Sequence, residues 1–180
     1  MYHLLKNVDE TWKKILISII LEDSTLRNIL NEIESGDVSE IYPRPELIFS
    51  AFKKPLKNPT VIIFDEDPNT NPGLTKDILH LHSSFTFSFS ETRYHHDIWK
   101  NFTLAILRYL QKMFHPVFVV QGPRAMKSFW NIPHVYQEIQ KIEEDIQYKS
   151  VIAYTEKIGE DTLPLINHLL KLKKQIPIKF

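Results

Sequence analysis

Hydrophobic residues follow two alternating patterns along the chain, one typical of strands and one typical of helices. Short apolar or β-branched segments predict four strands, at Thr60–Phe64, Ile78–His82, Val117–Gln121 and Val151–Thr155. Apolar residues at helical spacing predict helices over Asp9–Leu21, Ser24–Ser35, Asp97–Met113, Arg124–Trp130, Val135–Gln147 and Glu160–Lys173, with a short helix over Glu46–Phe52. Because strands alternate with helices, we expect an α/β fold with three α/β/α layers around a central four-stranded parallel sheet.

Local sequence signals predict where the second helix begins and ends and which loops contain functional residues. Ser24 is a candidate cap of the second helix, and Gly36 is a candidate stop for it. In parallel sheets, ligands bind in the loops at the carboxyl ends of the strands. The loops that follow the predicted strands are Asp65–Gly73, Ser83–Tyr94, Gly122–Lys127 and Glu156–Asp161.

Composition is that of a packed globular protein. A chain of 180 residues with 43% hydrophobic residues suits a single domain over 1–180. No signal-peptide core and no membrane-spanning stretch is evident, so we expect a soluble protein without membrane contact. Cysteine is absent, which excludes disulfides and thiolate zinc sites and favours an intracellular location. The isoleucine, lysine and asparagine content suggests an AT-rich genome, such as a viral one.

The charge balance and the histidine content limit the classes of ligand that the chain is expected to bind. The 22 basic and 22 acidic residues balance, whereas a dedicated nucleic-acid binder usually carries a basic surplus. Tight nonspecific DNA binding is therefore disfavoured. Among the eight histidines, His80 and His82 alternate on a predicted strand and would share one face, which could suit a metal. No third ligand is evident in the sequence, so we predict neither a metal site nor a cofactor.

Motifs from Ile41 onward resemble family 1 uracil-DNA glycosylases in order and spacing. Residues 41–73 read IYPRPELIFSAFKKPLKNPTVIIFDEDPNTNPG, similar to the family's IYP, F-x-AF helix and V-V-I-L strand before GQDPYH-x-PG. His82–Thr86 resembles the LLLN-T-x-LT strand end, and Trp99–Thr103 resembles GW-x-x-FT. VFVVQGPRAMK at Val117–Lys127 is similar to the V-x-LLWG-x-x-A-x-K strand and phosphate-binding loop. The tail, LINHLLKLKKQIPIKF, resembles the family ending N-x-x-L…PI-x-W, most closely its poxvirus form, while the first forty residues carry no diagnostic motif.

The resemblance implies a site in which one acid is retained. Asp67 takes the place of the catalytic carboxylate that positions water and stabilises the cationic sugar. His82 takes the place of the asparagine that reads the uracil edge. Glu66 and Asn69 are substrate-binding positions that hold a glutamine and a tyrosine in the family. Gly122, Arg124 and Lys127 fit the loop that binds DNA phosphate at a helix start.

Several of the family's features are changed or missing. Asp65 replaces the first glycine of the GQDPYH motif, and Thr70 replaces its histidine. Only Leu74–Asp77 lie between Gly73 and Ile78, where the family has several dozen residues that include the phenylalanine stacking on uracil. The segment Tyr154–Gly159 has no histidine to stabilise the leaving uracil anion. Since losing one such donor commonly reduces the rate about 10²–10³-fold, these changes together disfavour catalysis.

Structural roles explain the same residues without catalysis. Asp67 lies in D-P-N-T-N-P-G, which is strong turn chemistry, and its carboxylate could cap a helix or turn. His82 is interpretable as a packed or solvent-edge histidine, and Gly122–Lys127 as a simple turn. Trp99 and Phe102 are expected in the core.

Three functional hypotheses follow. The first is a noncatalytic protein with the glycosylase fold, serving as a binding or scaffold module in DNA replication or repair. The poxvirus relatives imply such a use, with a replication or repair protein as partner and DNA as a further candidate. The second is a divergent active uracil-DNA glycosylase that uses Asp67 to position water. The third is an unrelated α/β protein, which would be favoured if Thr60–Phe64 and Val117–Gln121 were not adjacent parallel strands.

Overall fold

The computed structural model describes residues 3–36, 41–66, 78–88, 93–130, 151–155 and 162–178. These residues form two compact units, each of which is described by itself. Among the described residues, none of the helices has the length and apolar character that crossing a lipid bilayer requires. The predicted helix over Val135–Gln147 lies outside the described residues.

The first unit begins with two amphipathic helices, α1 (Glu10–Glu22) and α2 (Ser24–Ser35). Asp23 caps α2, because its carboxylate accepts the Leu26 backbone N–H at 3.0 Å. The prediction that Ser24 is the cap is therefore wrong: Ser24 is the first helical residue, and the stronger acceptor precedes it. The predicted stop is confirmed, since Gly36 adopts the left-handed conformation at φ +81°.

Aromatic side chains pack the interior of the first unit. The buried rings belong to Trp12, Phe49, Phe52, Phe85, Trp99 and Phe102. Phe52 and Phe85 stack with centroids 5.9 Å apart, and the Trp99 indole N–H donates to Thr86 Oγ1 at 2.7 Å. The prediction that Trp99 and Phe102 are core residues is confirmed.

Irregular and short elements connect the first unit's helices. The short helix predicted over Glu46–Phe52 takes the form of two 3₁₀ turns, Pro45–Leu47 and Ser50–Phe52. A small antiparallel sheet, which the hydrophobic pattern did not predict, joins β1 (Ile41–Tyr42), β4 (Phe87–Ser88) and β5 (Arg93–Tyr94) in the order β1-β4-β5. Helix α3 (His96–Phe114) begins in this unit, and its C-terminal half belongs to the second.

The second unit is built around a four-stranded parallel sheet in the order β3-β2-β6-β7. Its strands are β2 (Val61–Asp65), β3 (Ile78–His82), β6 (Val117–Gln121) and β7 (Val151–Thr155). Strands β2 and β6 pair in parallel with Val61 opposite Val117. The prediction of an α/β fold with this parallel sheet is confirmed, and the condition that would have favoured an unrelated α/β protein is not met.

Helices α4 (Pro123–Trp130) and α5 (Thr162–Leu172) complete the second unit. Helix α5 contributes Ile166, Leu169 and Leu170 to an apolar core that also contains inward residues of β2, β6 and β7. The Asn167 side chain holds the segment after α5: it donates to the Ile178 carbonyl at 3.1 Å and accepts the Ile178 N–H at 2.8 Å. Both backbone groups of Ile178 are thereby satisfied without a strand partner.

Candidate functional site

The carboxyl ends of β2 and β6 bring two predicted site segments together. In the parallel pair, Phe64 lies opposite Val120, and each strand ends one residue later. Glu66 and Gly122 are the first residues beyond the two strands. This edge of the sheet is where open α/β folds place their ligands, because the strands end there and the following helix begins.

A side chain of the protein itself occupies the start of α4. Glu66 Oε1 accepts the Arg124 backbone N–H at 2.7 Å. The first N–H groups of a helix have no partner within the helix and attract anions, so a carboxylate is a suitable occupant. Glu66 therefore fills a position that would suit a phosphate oxygen of a ligand.

Gly122 makes this contact possible. Its φ of +87° lies in the left-handed region that favours glycine. A Cβ at this position would lie 2.5 Å from Glu66 Oε1 and 2.8 Å from Glu66 Cδ, closer than a side chain allows. The dihedral angle thus favours glycine, and any other residue would in addition have to push the Glu66 side chain out of this position.

The predicted phosphate-binding residues are partly brought together. Gly122 and the Arg124 backbone meet at the start of α4, whereas the Arg124 and Lys127 side chains are exposed on the helix surface. The sequence placed Glu66 in a base-reading role and Gly122 in a phosphate-binding role. In the structure these two residues lie next to each other, which the sequence could not reveal because they are 56 positions apart.

A second group of polar side chains lies on β2 and β3. His80 Nε2 donates to Asp65 Oδ2 at 2.5 Å, since an ionised carboxylate can only accept. The two side chains are 9% and 13% exposed. His82 is two residues further along β3, on the same face as His80, and is 5% exposed.

Asp65 and His80 have the chemistry of metal ligands, since carboxylates and imidazoles both bind divalent ions. On the sequence alone, His80 and His82 form a pair without an evident third ligand. The contact between Asp65 and His80 was not predicted, because β2 and β3 are neighbours through a tertiary pairing that the sequence does not specify.

Other predicted site residues cannot be placed. Asp67 and Asn69 lie outside the described residues, as do the last residues of the segment Tyr154–Gly159. His82 is described and is buried at the end of β3.

Comparison with known proteins gives structural matches only. No protein-family model and no curated sequence matches the chain. Mimivirus uracil-DNA glycosylase matches with a TM-score of 0.69 at 16% identity, over 97% of this chain and 88% of that chain. A variant of the mimivirus protein in complex with UGI matches with a TM-score of 0.68 at 16% identity, over 97% and 89%.

A structure from a second organism also matches. The UNG protein of Nitratifractor salsuginis matches with a TM-score of 0.56 at 16% identity, over 85% of this chain and 86% of that chain. Likeness at such identities concerns the backbone and says nothing of the chemistry at the site. The chain therefore has the fold of the uracil-DNA glycosylases.

Proposed function

We propose that this chain is a noncatalytic protein with the uracil-DNA glycosylase fold that serves as a binding or scaffold module in DNA replication or repair. Its partner is a protein of that machinery, and DNA is a second candidate ligand. The proposal combines the fold, which the structural matches support, with the chemistry of the residues at the carboxyl ends of β2 and β6.

The contact between Glu66 and the start of α4 carries the proposal. If the loop Gly122–Lys127 held DNA as the resemblance implies, the first N–H groups of α4 would receive a phosphate oxygen. Glu66 Oε1 already accepts the Arg124 N–H at 2.7 Å. A phosphate at this place would have to displace the carboxylate and would meet a charge of its own sign. The Arg124 N–H is thus already satisfied within the protein, which makes the loop poorly suited to hold a phosphodiester.

The base-reading positions support the same proposal. A carboxylate at Glu66 cannot donate the amide hydrogens that the family's glutamine provides. His82 is 5% exposed, so little of its ring is open to a flipped base. Because a site built to hydrogen-bond a substrate loses much of its rate when even one donor is removed, several such changes together leave little catalysis.

Charge balance agrees with a protein partner as the main ligand. With 22 basic and 22 acidic residues, the chain lacks the surplus of Lys and Arg that supplies most nonspecific DNA affinity. Recognition of a protein surface does not need such a surplus, because protein interfaces depend on buried apolar and aromatic residues.

A uracil-release assay tests the absence of catalysis. The full chain, expressed in a host without its own uracil-DNA glycosylase, is incubated with single-stranded and double-stranded oligonucleotides that contain uracil. We expect no release above the control without protein. Robust turnover that Asp67→Asn abolishes would overturn the proposal and favour a divergent active glycosylase.

The partner is tested separately. The tagged chain is purified from its native source, co-purifying proteins are identified, and the complex is rebuilt from purified components. A stoichiometric complex with a replication or repair protein is the expected result. A chain that is recovered without any such protein, or whose complex cannot be rebuilt, would contradict the scaffold role.

A further inference from the structure

We infer that the segment after α5 binds an acidic surface of the protein partner, with Ile176 and the adjacent Pro177 as its apolar anchor. The cations beside this anchor are Lys171 and Lys174. All four residues belong to the second unit. The inference rests on the proposed function, because it names the surface through which a binding module would hold its protein partner.

Ile176 is the most exposed large hydrophobic side chain in the part of the chain that the structure describes. It is 87% exposed, whereas Leu21, Met113 and Tyr154 are between 44% and 54% exposed. Pro177 is exposed as well, so two adjacent apolar side chains face solvent. Single exposed apolar residues are common on protein surfaces, so the partner has to be argued from the rigidity and the charge of the segment.

Hydrogen bonds fix the chain on both sides of the anchor. On one side, the Gln175 N–H donates to the Leu170 carbonyl at 2.8 Å, which ties the segment to the last turn of α5. On the other side, the Asn167 side chain holds both backbone groups of Ile178, whose own side chain is buried. The ring of Pro177 restricts the backbone between these two points. The anchor therefore loses little conformational freedom on binding, and such preorganisation raises affinity.

The charged residues of this part of the chain are all basic. Thr162–Ile178 contains Lys171, Lys173 and Lys174 and neither Asp nor Glu. Lys171 and Lys174 are exposed, whereas Lys173 is buried. Protein interfaces surround an apolar centre with a polar rim, and charges across the rim are complementary. The matching partner surface is therefore an apolar pocket that acidic residues border.

Other occupants fit these features less well. Two exposed lysines would neutralise few phosphates, whereas stable DNA binding relies on several such contacts. A lipid surface is bound by the apolar face of a whole amphipathic helix, and this segment offers one isoleucine and one proline. A second copy bound through the same surface would bring lysines against lysines, which repel.

Photocrosslinking in an extract of the native source tests which molecule contacts the anchor. The full chain carries the photoreactive residue benzoylphenylalanine in place of Ile176, and a matched control carries it in place of Leu21, an exposed residue of α1. We expect the first protein and not the second to crosslink to one partner protein, within a peptide that contains Asp or Glu. A crosslink to a second copy of this chain, or no crosslink specific to position 176, would overturn the inference.

Affinity for the purified crosslinked partner tests the anchor and the charges separately. Ile176→Ala should lower the affinity by about 10-fold or more, as at an interface hot spot, while Leu21→Ala should bind as the wild type does. Replacing Lys171 and Lys174 together by Gln should slow association and weaken its dependence on salt. Because these side chains are exposed, each variant should unfold near the urea midpoint of the wild type, which verifies its folding. Equal affinity of Ile176→Ala and the wild type would contradict the inference.

The outcomes distinguish this surface from the proposed function. A partner outside replication and repair that requires Ile176 would support the surface and contradict the proposed function. A replication or repair partner that binds Ile176→Ala as tightly as the wild type would support the proposed function and overturn the surface. Binding of the wild type, but not of Ile176→Ala, to vesicles of phosphatidylcholine and phosphatidylserine or to a DNA duplex would also overturn it, since the occupant would then not be a protein.

Discussion

At the scale of single residues, the main feature is a carboxylate that takes the place of a ligand. Glu66 follows β2 and accepts a hydrogen bond from the start of α4, where Gly122 leaves room for it. A helix start can be satisfied by a bound anion or by a side chain, and the physical chemistry of the two is the same. A protein that supplies its own anion gains a fixed contact between β2 and α4 and gives up a ligand position.

Alanine substitutions at Gly36 and Gly122 separate the cost of the left-handed dihedral angle from the cost of contact with Glu66. Gly36→Ala meets nothing within 4 Å, so it suffers only the left-handed dihedral penalty of about 1–2 kcal/mol. Gly122→Ala suffers the same penalty and also displaces Glu66, so we expect about 1 kcal/mol of additional destabilisation. Urea unfolding of each variant, compared with the wild type, measures the difference.

A double substitution tests whether contact with Glu66 causes the additional destabilisation of Gly122→Ala. In the background of Glu66→Ala there is no carboxylate for the new methyl group to meet, so Gly122→Ala should fall to the cost of Gly36→Ala. Strict additivity of Glu66→Ala and Gly122→Ala would show that the close approach of Glu66 is not what selects glycine at this position.

At the scale of elements, a single hydrogen-bond acceptor determines where helix α2 begins. Asp23 accepts the Leu26 N–H, while Ser24 is already helical. We expect Asp23→Ala to destabilise the protein by about 1 kcal/mol, the usual effect of removing an N-cap acceptor. Ser24→Ala should change the unfolding free energy by less than about 0.5 kcal/mol, because alanine is favoured inside a helix. Chemical denaturation compares the two, and a larger effect at Ser24 would refute the assignment.

Strands with a run of buried apolar residues could be predicted from the sequence. Short elements that are defined only by pairing with another segment could not. The β-branched runs Val61–Phe64 and Val117–Val120 are buried on both faces, so each specifies a strand by itself. The two-residue strands β1, β4 and β5 have too few positions to show alternation, and only their pairing defines them. The 3₁₀ turns at Pro45–Leu47 and Ser50–Phe52 are likewise three residues each, too short to show a helical period.

The candidate site divides in the same way. Glu66 and Gly122 were identified from motif order, but their mutual contact follows from the β2–β6 pairing. His80 and His82 were paired by strand alternation, which is a local rule, whereas the contact between His80 and Asp65 depends on the neighbouring strand. The sequence therefore predicted which residues of a single element belong to the candidate site, but not which residues of different elements contact each other.

At the scale of the whole molecule, acidic and basic residues are equal in number, so individual ionisable groups determine how stability depends on pH. With equal numbers of acidic and basic residues, general repulsion in the folded chain is small near neutral pH. A buried ionisable group then has a visible effect, because its proton affinity differs between the folded and unfolded states. Lys173 is such a group, since it is 3% exposed just beyond α5.

Burial lowers the pKa of Lys173 to about 8 from its ordinary 10.5, because the charged ammonium loses hydration. Between these values the unfolded chain binds the proton and the folded chain does not, so this residue makes stability rise with pH from about 8 to about 10.5. We expect Lys173→Met to stabilise the protein near pH 7 and to lose this advantage as pH approaches 10. Urea unfolding across that range measures it, with exposed Lys171→Met as the matched control. Parallel pH curves for the wild type and Lys173→Met would mean that Lys173 keeps its proton in the folded state, with its charge solvated or paired despite the burial of the residue.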